Sequence, residues 1–503
     1  MQESVKIEQK YSDSVINISL DTLEKKKQSL VFVSTKRSAE KCAEEISKKI
    51  KSSSDELIKL SSECLKAASK PTRQCRRLAS CIEKGIAFHH SGLHSKQKEL
   101  IENNFRKGNI KIICCTPTLA AGLDLPAFRA VIRDVRRYTG QGMVFIPVLE
   151  YLQMSGRAGR PSFDSFGESI LISSAEGEKD ALIDKYIEGV PEDIQSKLAV
   201  EPVLRTYLLS LIATKVIQSK EQIVDFFSRT FWAFQFRDMP ELETRIHKML
   251  SLLVDWGFLQ FVDDKFRATV LGKRIAELYI DPLTAHSFVE GLQKDKEVRP
   301  ISFLQLVCSA LEMRPLLRVR VKEYDDIQEE LIKQEQYFIS SEPSMFDHEY
   351  DDYLNSVKTA FMLNEWIDEK DDDFIMEHYD AGPGETRVKI ETSKWLLYGL
   401  SEIARIIQKQ DVLSNIVKLK FRLTYGVKEE LLPLIKLEGV GRVRARKMFR
   451  AGFTSLADLR RSDSKNLSQV LGSEKLASDI LIQVGVNVKN EENNNQGSLN
   501  NFS

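Results

Sequence analysis

Two arginines three positions apart give this sequence its clearest chemical signal. Arg157 and Arg160 lie in the run QMSGRAGRP, which extends from Gln153 to Pro161, and a glycine precedes each of them. At the start of a helix this spacing places both guanidinium groups on one face, where no neighbouring side chain obstructs a phosphate. They could then neutralise charge on a transferring γ-phosphoryl group, as arginine fingers do. The alternative is a pair of surface arginines in a glycine-rich turn.

A second segment could hold phosphate or sugar groups. TPTLAAGLDLPA begins at Thr116 and directly follows the strand-like run IKIICC. Loops at the carboxyl ends of parallel strands commonly contact phosphate or ribose. Gly122 permits a close backbone approach, Asp124 can accept a hydrogen bond from a sugar hydroxyl, and Thr116 and Thr118 can donate to phosphates.

A third segment, HHSGL at residues 89–93, precedes the helical run SKQKELIENNFRKG. Small and polar groups such as Ser91 and Gly92 at a helix N-terminus form a natural phosphate site. His90 could belong to that site, or it could be a structural histidine with satisfied hydrogen bonds.

These segments need a sheet to position them. Strand-like runs at 29–35, 110–115, 130–133 and 168–172 alternate with helical segments, which predicts a parallel sheet with crossover helices. From about residue 195 the periodicity is helical, and FLQFVDDKFRAT adds a β-hairpin after three helices, as in a winged helix.

In this order the segments resemble the second RecA-like lobe of superfamily 2 helicases. SLVFVSTKRSAEKCA resembles motif IV, TPTLAAGLDLPA resembles motif V, and QMSGRAGRP resembles motif VI. The sequences of these motifs most resemble those of the Ski-two-like branch and its archaeal DNA-repair helicases, which are related to the helicase domain of DNA polymerase theta. Further likenesses are FFSRTFWAFQ and YIDPLTA to the winged-helix region, IETSKWLLYGLSEIARI to the ratchet helix, and YGVKEELLPLIKLEGVGRVRARKMFRAG to the helix-hairpin-helix. The resemblance covers about residues 20 to 485.

The resemblance implies an α/β RecA-like lobe, with a parallel sheet of the P-loop NTPase type, followed by mainly α domains. The expected domains are a second RecA-like lobe at 1–190, a winged helix at 191–280, a helical ratchet domain at 281–408, a helix-hairpin-helix domain at 409–485, and a disordered tail at 486–503.

The resemblance also implies roles for individual residues in ATP and DNA binding. Catalytic roles fall to Arg157, Arg160 and Gln153, and nucleotide binding to Gly122 and Asp124 together with the two arginines. The DNA contacts expected from motif IV, HHSGL and motif V are Ser34, Thr35, His90, Ser91, Gly92, Thr116 and Thr118.

Between motifs V and VI the family inserts a hairpin that separates the strands of the duplex. Here residues 129–151 contain two β-prone runs around TGQG, a plausible hairpin tip. Arg136 and Arg137 are expected to hold a phosphate, and Tyr138 to stack on the terminal base pair. An ordinary connecting hairpin is the alternative.

Two helical segments carry the remaining DNA contacts that we expect. Trp395 shares a helix face with Arg387 and Lys394, which suits stacking on single-stranded bases, although spacing alone leaves a core tryptophan open. The family commonly has an arginine seven residues before this tryptophan, and Val388 stands there instead. In the helix-hairpin-helix, backbone N–H groups and basic side chains would bind duplex phosphates without reading sequence; the alternative is a charged, solvated helix. The residues concerned are Gly439, Gly441, Arg442, Arg444 and Arg446.

Charge and composition bound these interpretations. The chain has 73 basic and 73 acidic residues, but residues 1–160 hold 29 and 17, whereas residues 325–380 hold 3 and 18. Local sign governs contact with a polyanion, so the zero total does not exclude DNA. No apolar stretch of about 18 residues and no targeting signal occurs, which predicts a cytoplasmic protein acting on the chromosome, without a membrane partner.

The cysteines and the C-terminal tail complete the candidate sites. A zinc site from Cys64, Cys75, Cys81 and neighbouring histidines fits no standard ligand spacing, so we expect no metal site in this chain. The tail resembles peptides that bind the DNA sliding clamp (PCNA), although Ser503 replaces the usual second aromatic. The residues that would contact the clamp are Gln496, Leu499 and Phe502.

No GxxxxGK[ST] loop and no DExH-like carboxylate pair after an apolar strand occurs in the sequence. The cofactors implied are ATP and Mg²⁺, with the Mg²⁺ ligands on a first RecA-like lobe that this chain lacks. We expect the C-terminal portion of a monomeric ATP-dependent 3′→5′ DNA helicase that unwinds duplex or forked DNA in repair, recombination and replication restart, inactive without that lobe. The alternatives are a non-catalytic DNA-binding accessory protein recruited by the clamp and a related RNA helicase.

Overall fold

The computed structural model describes residues 6–51, 53–67, 71–139, 142–160, 164–173 and 175–486. Its residues divide into two compact units. The first unit comprises residues 1–195 together with 380–387, and the second comprises 196–379 and 388–503.

A parallel sheet forms the centre of the first unit, as the sequence predicts; it has five strands, and the strand at Ile86–His89 was not among the four predicted runs. Its strand order is β2-β3-β1-β4-β7, and β1 pairs with β3 and β4 so that Ser29 lies beside Ile112 and Arg129. The central strands are buried along their whole length, which explains their continuous apolar runs. The strands are β1 Ser29–Phe32, β2 Ile86–His89, β3 Ile112–Cys115, β4 Arg129–Ile132, β5 Arg136–Thr139, β6 Gly142–Phe145 and β7 Glu168–Leu171.

Helices cover this sheet, and polar side chains begin several of them. Asp13, Thr35, Ser54 and Thr72 each accept a hydrogen bond from a backbone N–H in the first turn of the helix that follows, which satisfies a donor that has no partner within the helix. The helices are α1 Ser14–Glu24, α2 Lys36–Ser47, α3 Asp55–Lys66, α4 Arg73–Ile82, α5 Ser95–Arg106, α6 Thr118–Gly122, α7 Val148–Ser155 and α8 Glu176–Leu182.

A short segment from late in the chain, Asp380–Arg387, also belongs to the first unit. Its Gly384 N–H donates to the Gly92 carbonyl at 3.1 Å, and Lys36 forms an ion pair with Glu385. A Cβ at Gly384 would overlap the Ser91 backbone oxygen and lie 2.5 Å from that of Leu93. The close approach of these two backbones therefore requires glycine.

The second unit is mainly helical, in agreement with the sequence. Its winged-helix part contains the antiparallel hairpin β8 Leu259–Val262 and β9 Lys265–Ala268. The helices up to the acidic region are α9 Glu201–Ala213, α10 Lys220–Ser228, α11 Phe231–Phe236, α12 Met239–Asp255, α13 Val270–Leu278, α14 Pro282–Gln293 and α15 Pro300–Cys308. The later helices are α16 Tyr324–Gln334, α17 Tyr350–Ile367, α18 Asp372–Tyr379, α19 Pro383–Ile406, α20 Gln410–Tyr425, α21 Leu432–Ile435, α22 Arg442–Arg450, α23 Leu456–Arg460, α24 Ser464–Leu471 and α25 Glu474–Gln483.

No helix among the described residues is long and apolar enough to cross a membrane.

The cysteines considered as zinc ligands are Cys64, Cys75 and Cys81, and all three are free and buried. Burial raises the pKa of the Cys64 and Cys81 thiols to about 12. The described ranges contain no group of three or more His, Cys, Asp or Glu side chains suited to a metal ion.

Candidate functional site

The segments that resemble motifs V and VI lie against each other in the first unit. The Ala127 N–H donates to the Arg157 carbonyl at 2.9 Å, and the Gly159 N–H donates to the Ala127 carbonyl at 2.7 Å. Gly159 has a φ of +98°, a conformation that side chains rarely adopt. Two segments about 30 residues apart in sequence therefore form one surface.

Arg157 extends across this surface towards the motif V segment. Its Nε donates to the Ala120 carbonyl at 3.1 Å, and its Nη1 lies 3.9 Å from an Asp124 carboxylate oxygen. Asp124 is almost wholly exposed, and a Cβ on Gly122 would meet no atom within 4 Å. Gln153 is also exposed. Cationic, carboxylate and open backbone groups thus lie together, as binding of a triphosphate and its ribose requires.

Arg160 lies in a tighter environment than Arg157. Its Nε donates to Asp164 at 2.7 Å, its Nη2 donates to the same carboxylate at 3.2 Å, and its Nη1 donates to the Gln28 side-chain oxygen at 2.5 Å. Lys27 also donates to Asp164, at 2.6 Å. We call these four residues the Arg160 cluster.

The polar residues predicted to contact DNA in motifs IV and V follow the carboxyl ends of β1 and β3. The Ser34 N–H and hydroxyl both donate to Asp134, at 2.9 and 3.1 Å. Thr35 caps α2 by accepting from the Ser38 N–H, and the hydroxyls of Thr116 and Thr118 are 2.9 Å apart. Because parallel strands end at the same edge of a sheet, these groups share one edge.

The HHSGL segment is mainly structural. His90 is 1% exposed, and its Nε2 lies 3.2 Å from Glu40. Its Nδ1 accepts from the Gly92 N–H at 3.1 Å. His90 and Gly92 are therefore buried and offer no surface to DNA, whereas Ser91 is exposed. The structural alternative for His90 is the one that its geometry favours.

The predicted hairpin is formed by β5 and β6 and lies outside the parallel sheet. Tyr138 is opposite Met143, and both side chains are 63% exposed. Arg136 pairs with Glu178 at 2.9 Å and Arg137 pairs with Glu150 at 2.8 Å. Both arginines are half exposed, and their charges are balanced within the lobe. Among the described residues of the hairpin, Tyr138 and Met143 are the most exposed large side chains with apolar surface.

In the second unit, Trp395 is partly buried and anchored at one edge. Its Nε1 donates to the Leu278 carbonyl at 3.0 Å. Tyr398, one turn further along α19, is exposed and accepts from Arg274 at 3.0 Å. Lys394 pairs with Glu391 at 2.8 Å. Arg387, which the structure assigns to the first unit, is exposed.

The helix-hairpin-helix positions its basic residues unequally. Gly439 has a φ of +80°, and Gly441, the residue before α22, has open space where a Cβ would lie. Arg444 donates to the Gly439 carbonyl at 2.8 Å, and Arg442 lies over the Trp366 ring at 4.5 Å.

Arg446, in contrast, is held inside the unit. It donates to Glu369 at 2.8 Å and to Glu430 at 2.9 Å, and the hydrogen bond to Glu369 is the largest of the interactions that raise the pKa of Arg446. This arginine therefore joins α22 to the turn between α17 and α18 and to the residues just before α21. The clamp-binding residues Gln496, Leu499 and Phe502 lie outside the described residues.

Sequence reasoning missed several partners of these residues. Three of these partners are the carboxylates Asp134, Asp164 and Glu40, which bind predicted site residues. Each is a single acidic residue, and its position in the sequence follows no known motif. Met143 was missed because an exposed methionine on a short strand resembles a core residue in sequence.

Comparisons with known proteins agree with this arrangement. Four family models match successive parts of the chain. They are the helicase conserved C-terminal domain at 63–162, a helix-turn-helix domain at 167–260, domain 4 of archaeal helicases at 301–426, and a SAM-like helix-hairpin-helix tandem at 431–484.

Curated relatives match almost the whole chain. The ATP-dependent DNA helicase Hel308 of Pyrococcus horikoshii is 38% identical over 488 residues, which are 95% of this chain and 67% of that protein. The Hel308 proteins of Pyrococcus abyssi and Methanocella arvoryzae are also 38% identical, over 96% and 94% of this chain and 67% and 65% of their own lengths. The chain thus spans about two thirds of the relatives that it matches.

Proposed function

This chain belongs to the Hel308 family of archaeal ATP-dependent DNA helicases, and we propose that it is the portion that completes the ATP site and moves the DNA. The observation that carries the proposal is the pairing of Ala127 with Arg157 and Gly159. It brings Arg157 beside Asp124, in the same segment as Gly122. Guanidinium groups held in place before the reaction stabilise the charge on a transferring phosphoryl group without further reorganisation.

The residues present suit ATP, with Gly122 open to the nucleotide and the Asp124 carboxylate available to a ribose hydroxyl. They do not suit Mg²⁺, because the described part of the chain has no cluster of metal-ligating side chains. On the family resemblance, we assign the phosphate cradle and the Mg²⁺ ligands to a first RecA-like lobe. The described residues contribute positive charge and positioning to the reaction.

DNA binding is proposed for separate parts of the two units. Ser34, Thr35, Thr116 and Thr118 would contact the backbone of a single strand, and the exposed pair at the hairpin end would separate the duplex. In the second unit, Trp395 with Lys394 would contact unpaired bases, and the helix-hairpin-helix would bind duplex phosphates.

The family resemblance alone supports the finer parts of the proposal. These are the 3′→5′ direction, the forked substrates, the roles in repair, recombination and replication restart, and the monomeric state. Contact of Gln496, Leu499 and Phe502 with PCNA rests on the likeness of the tail to clamp-binding peptides.

DNA-stimulated ATP hydrolysis tests this proposal. It would be measured for the chain alone and for the chain combined with a first RecA-like lobe. We expect hydrolysis in the combined form, and a loss of about 10³-fold in kcat in Arg157→Ala. Arg106→Ala is the matched control, since Arg106 is exposed on α5 of the same unit, and it should leave the rate unchanged.

Two outcomes would contradict the proposal. If the combined form binds DNA but hydrolyses no ATP, the chain acts as a non-catalytic DNA-binding protein. If Arg157→Ala hydrolyses ATP at the rate of Arg106→Ala, the motif VI surface does not belong to the ATP site.

A further inference from the structure

The Arg160 cluster contains a carboxylate that the proposed function leaves without a role. Asp164 is four residues after Arg160, and its side chain is only 1% exposed. It accepts two hydrogen bonds from the Arg160 guanidinium and one from Lys27. We propose that Asp164 is a positioning residue that orients Arg160 for phosphoryl transfer, an inference that rests on the proposed function.

Gln28 fixes the opposite side of the same guanidinium. Its side-chain amide donates to the carbonyls of Phe105 and Ile110, at 2.7 and 2.8 Å. With both N–H groups used, the amide cannot rotate without losing two buried hydrogen bonds, and its oxygen must face Arg160. Carboxylate and amide together determine both the position and the plane of the Arg160 guanidinium.

The charges of the cluster explain why a carboxylate can hold this arginine without cancelling it. Lys27 and Arg160 supply two positive charges against the single negative charge of Asp164, so the cluster keeps one net positive charge. Hydrogen bonds from Arg160, followed by those from Lys27, hold the pKa of Asp164 below its usual value despite the opposing effect of burial. The carboxylate therefore stays ionised throughout the pH range in which enzymes of this kind are assayed.

Arg157 provides the contrast within the same motif. It donates to the Ala120 carbonyl, and its guanidinium lies 3.9 Å from the exposed carboxylate of Asp124. Arg160 is less exposed, at 18% against 25%, and is bound by buried side chains from two segments. The two arginines thus differ in rigidity: Arg160 is held before any nucleotide arrives, whereas Arg157 can adjust to it.

A positioning role predicts an effect on the chemical step rather than on nucleotide affinity. Misplacing a catalytic group by about 1 Å can cost about 10²-fold in rate. Asp164→Asn preserves the shape of the side chain and removes its charge. We expect kcat for ATP to fall about 10²-fold while KM changes less than about threefold.

A double-variant comparison separates this role from general structural support. If Asp164 acts only through Arg160, then Asp164→Asn added to Arg160→Ala should cause no further loss of kcat. Asp55→Asn, an exposed carboxylate on α3 of the same unit, is the matched control. In the chain without a first lobe, the nitrogen-15 resonance of Arg160 Nε should shift in Asp164→Asn and not in Asp55→Asn.

The outcomes distinguish this inference from the proposed function. Unchanged kcat in Asp164→Asn, with normal hydrolysis by the unmodified combined form, overturns the positioning role and leaves the helicase proposal standing. A further loss of kcat beyond that of Arg160→Ala overturns it too. Absence of hydrolysis in the unmodified combined form overturns both. If Asp164→Asn fails to fold, the double variant Lys27→Met with Asp164→Asn also removes the lysine that would be left without its carboxylate. Its kcat is then compared with and without Arg160→Ala in the same way.

Discussion

His89 is a buried imidazole whose two nitrogens have different environments. Its Nε2 lies 2.9 Å from Glu102, whereas its Nδ1 has no hydrogen-bond partner within the described ranges. Protonation of Nδ1 would create a buried N–H donor that has no acceptor among the described residues. Burial lowers the pKa of His89 below its ordinary value. As the pH falls through about 6.5, the unfolded chain takes up a proton that the folded chain resists, so stability falls.

We therefore predict that His89→Gln makes stability less dependent on pH. Thermal unfolding midpoints measured between pH 5 and 8 should fall towards the acid end in the unmodified chain and fall less in the variant. The exposed His247→Gln in the second unit serves as the control. Parallel midpoint curves for the unmodified chain and His89→Gln would show that another group determines the acid dependence.

Single residues also show where motif reasoning succeeds and where it stops. The spacing of Arg157 and Arg160 predicted a phosphate-binding surface at the start of a helix. The structure brings that segment against motif V, but both arginines follow the C-terminal end of α7 instead of beginning a helix. Motif patterns were not sufficient to predict that Arg446 binds Glu369, 77 positions earlier, or that Arg160 binds Gln28, 132 positions earlier. Such pairs arise from tertiary packing, and one sequence carries no record of them.

At the scale of elements, the first turn of α19 depends on glycine. A Cβ at Gly384 would overlap the Ser91 backbone oxygen, and backbone cannot move aside as a flexible side chain can. We predict that Gly384→Ala lowers the free energy of unfolding of the first unit by about 1–3 kcal/mol, the usual cost of overpacking. Thermal unfolding monitored by limited proteolysis would detect this loss of stability in the first unit.

Gly177→Ala is the matched control for that substitution. Gly177 lies in α8 of the same unit, and a Cβ there would meet no atom within 4 Å. Alanine in a helix is favoured over glycine by about 1 kcal/mol, so this variant should be at least as stable as the unmodified chain. Equal midpoints for the two variants would show that the 380–387 segment does not pack on residues 91–93.

The β5–β6 hairpin carries a prediction about coupling of ATP hydrolysis to strand separation. Tyr138 and Met143 face each other with most of their surface exposed, and large exposed apolar groups often mark contact sites. On the proposed function, Tyr138→Ala with Met143→Ala should lower the rate of strand separation at least tenfold and leave DNA-stimulated hydrolysis within about twofold. Fluorescence unwinding and ATPase assays would measure the two rates, with the exposed Ile58→Ala as control. Unwinding and hydrolysis that fall together would instead indicate a damaged lobe.

The boundaries of this hairpin show a limit of periodicity. The sequence predicted a strand of the parallel sheet at 130–133 and a hairpin within residues 129–151. Arg129–Ile132 is that buried strand, and the hairpin begins only at Arg136. Two adjacent β-prone runs do not show in sequence where one element ends and the next begins. The existence of both elements was predictable; the residue at which the hairpin begins was not.

At the scale of the whole molecule, charge is distributed unevenly among segments. Residues 325–380 hold 3 basic and 18 acidic residues, whereas 381–461 hold 17 and 8. Part of the acidic surplus is internal, because Glu369 pairs with Arg446. The basic surplus of 381–461 includes Arg442 and Arg444 at the helix-hairpin-helix. Since contact with DNA depends on local potential, a neutral chain can still bind a polyanion.

This distribution predicts how DNA affinity depends on salt. The logarithm of the binding constant for duplex DNA should fall linearly with the logarithm of salt concentration, by about 0.9 for each phosphate contacted. Arg442→Ala with Arg444→Ala should lower the steepness by about 1 to 2, because these side chains lie beside the open Gly441. Arg450→Ala and Asp325→Asn are controls for an exposed cation on the same helix and for the acidic region. If the double variant leaves the slope unchanged, or if Asp325→Asn steepens it as much as the arginine changes flatten it, total charge rather than the hairpin governs binding.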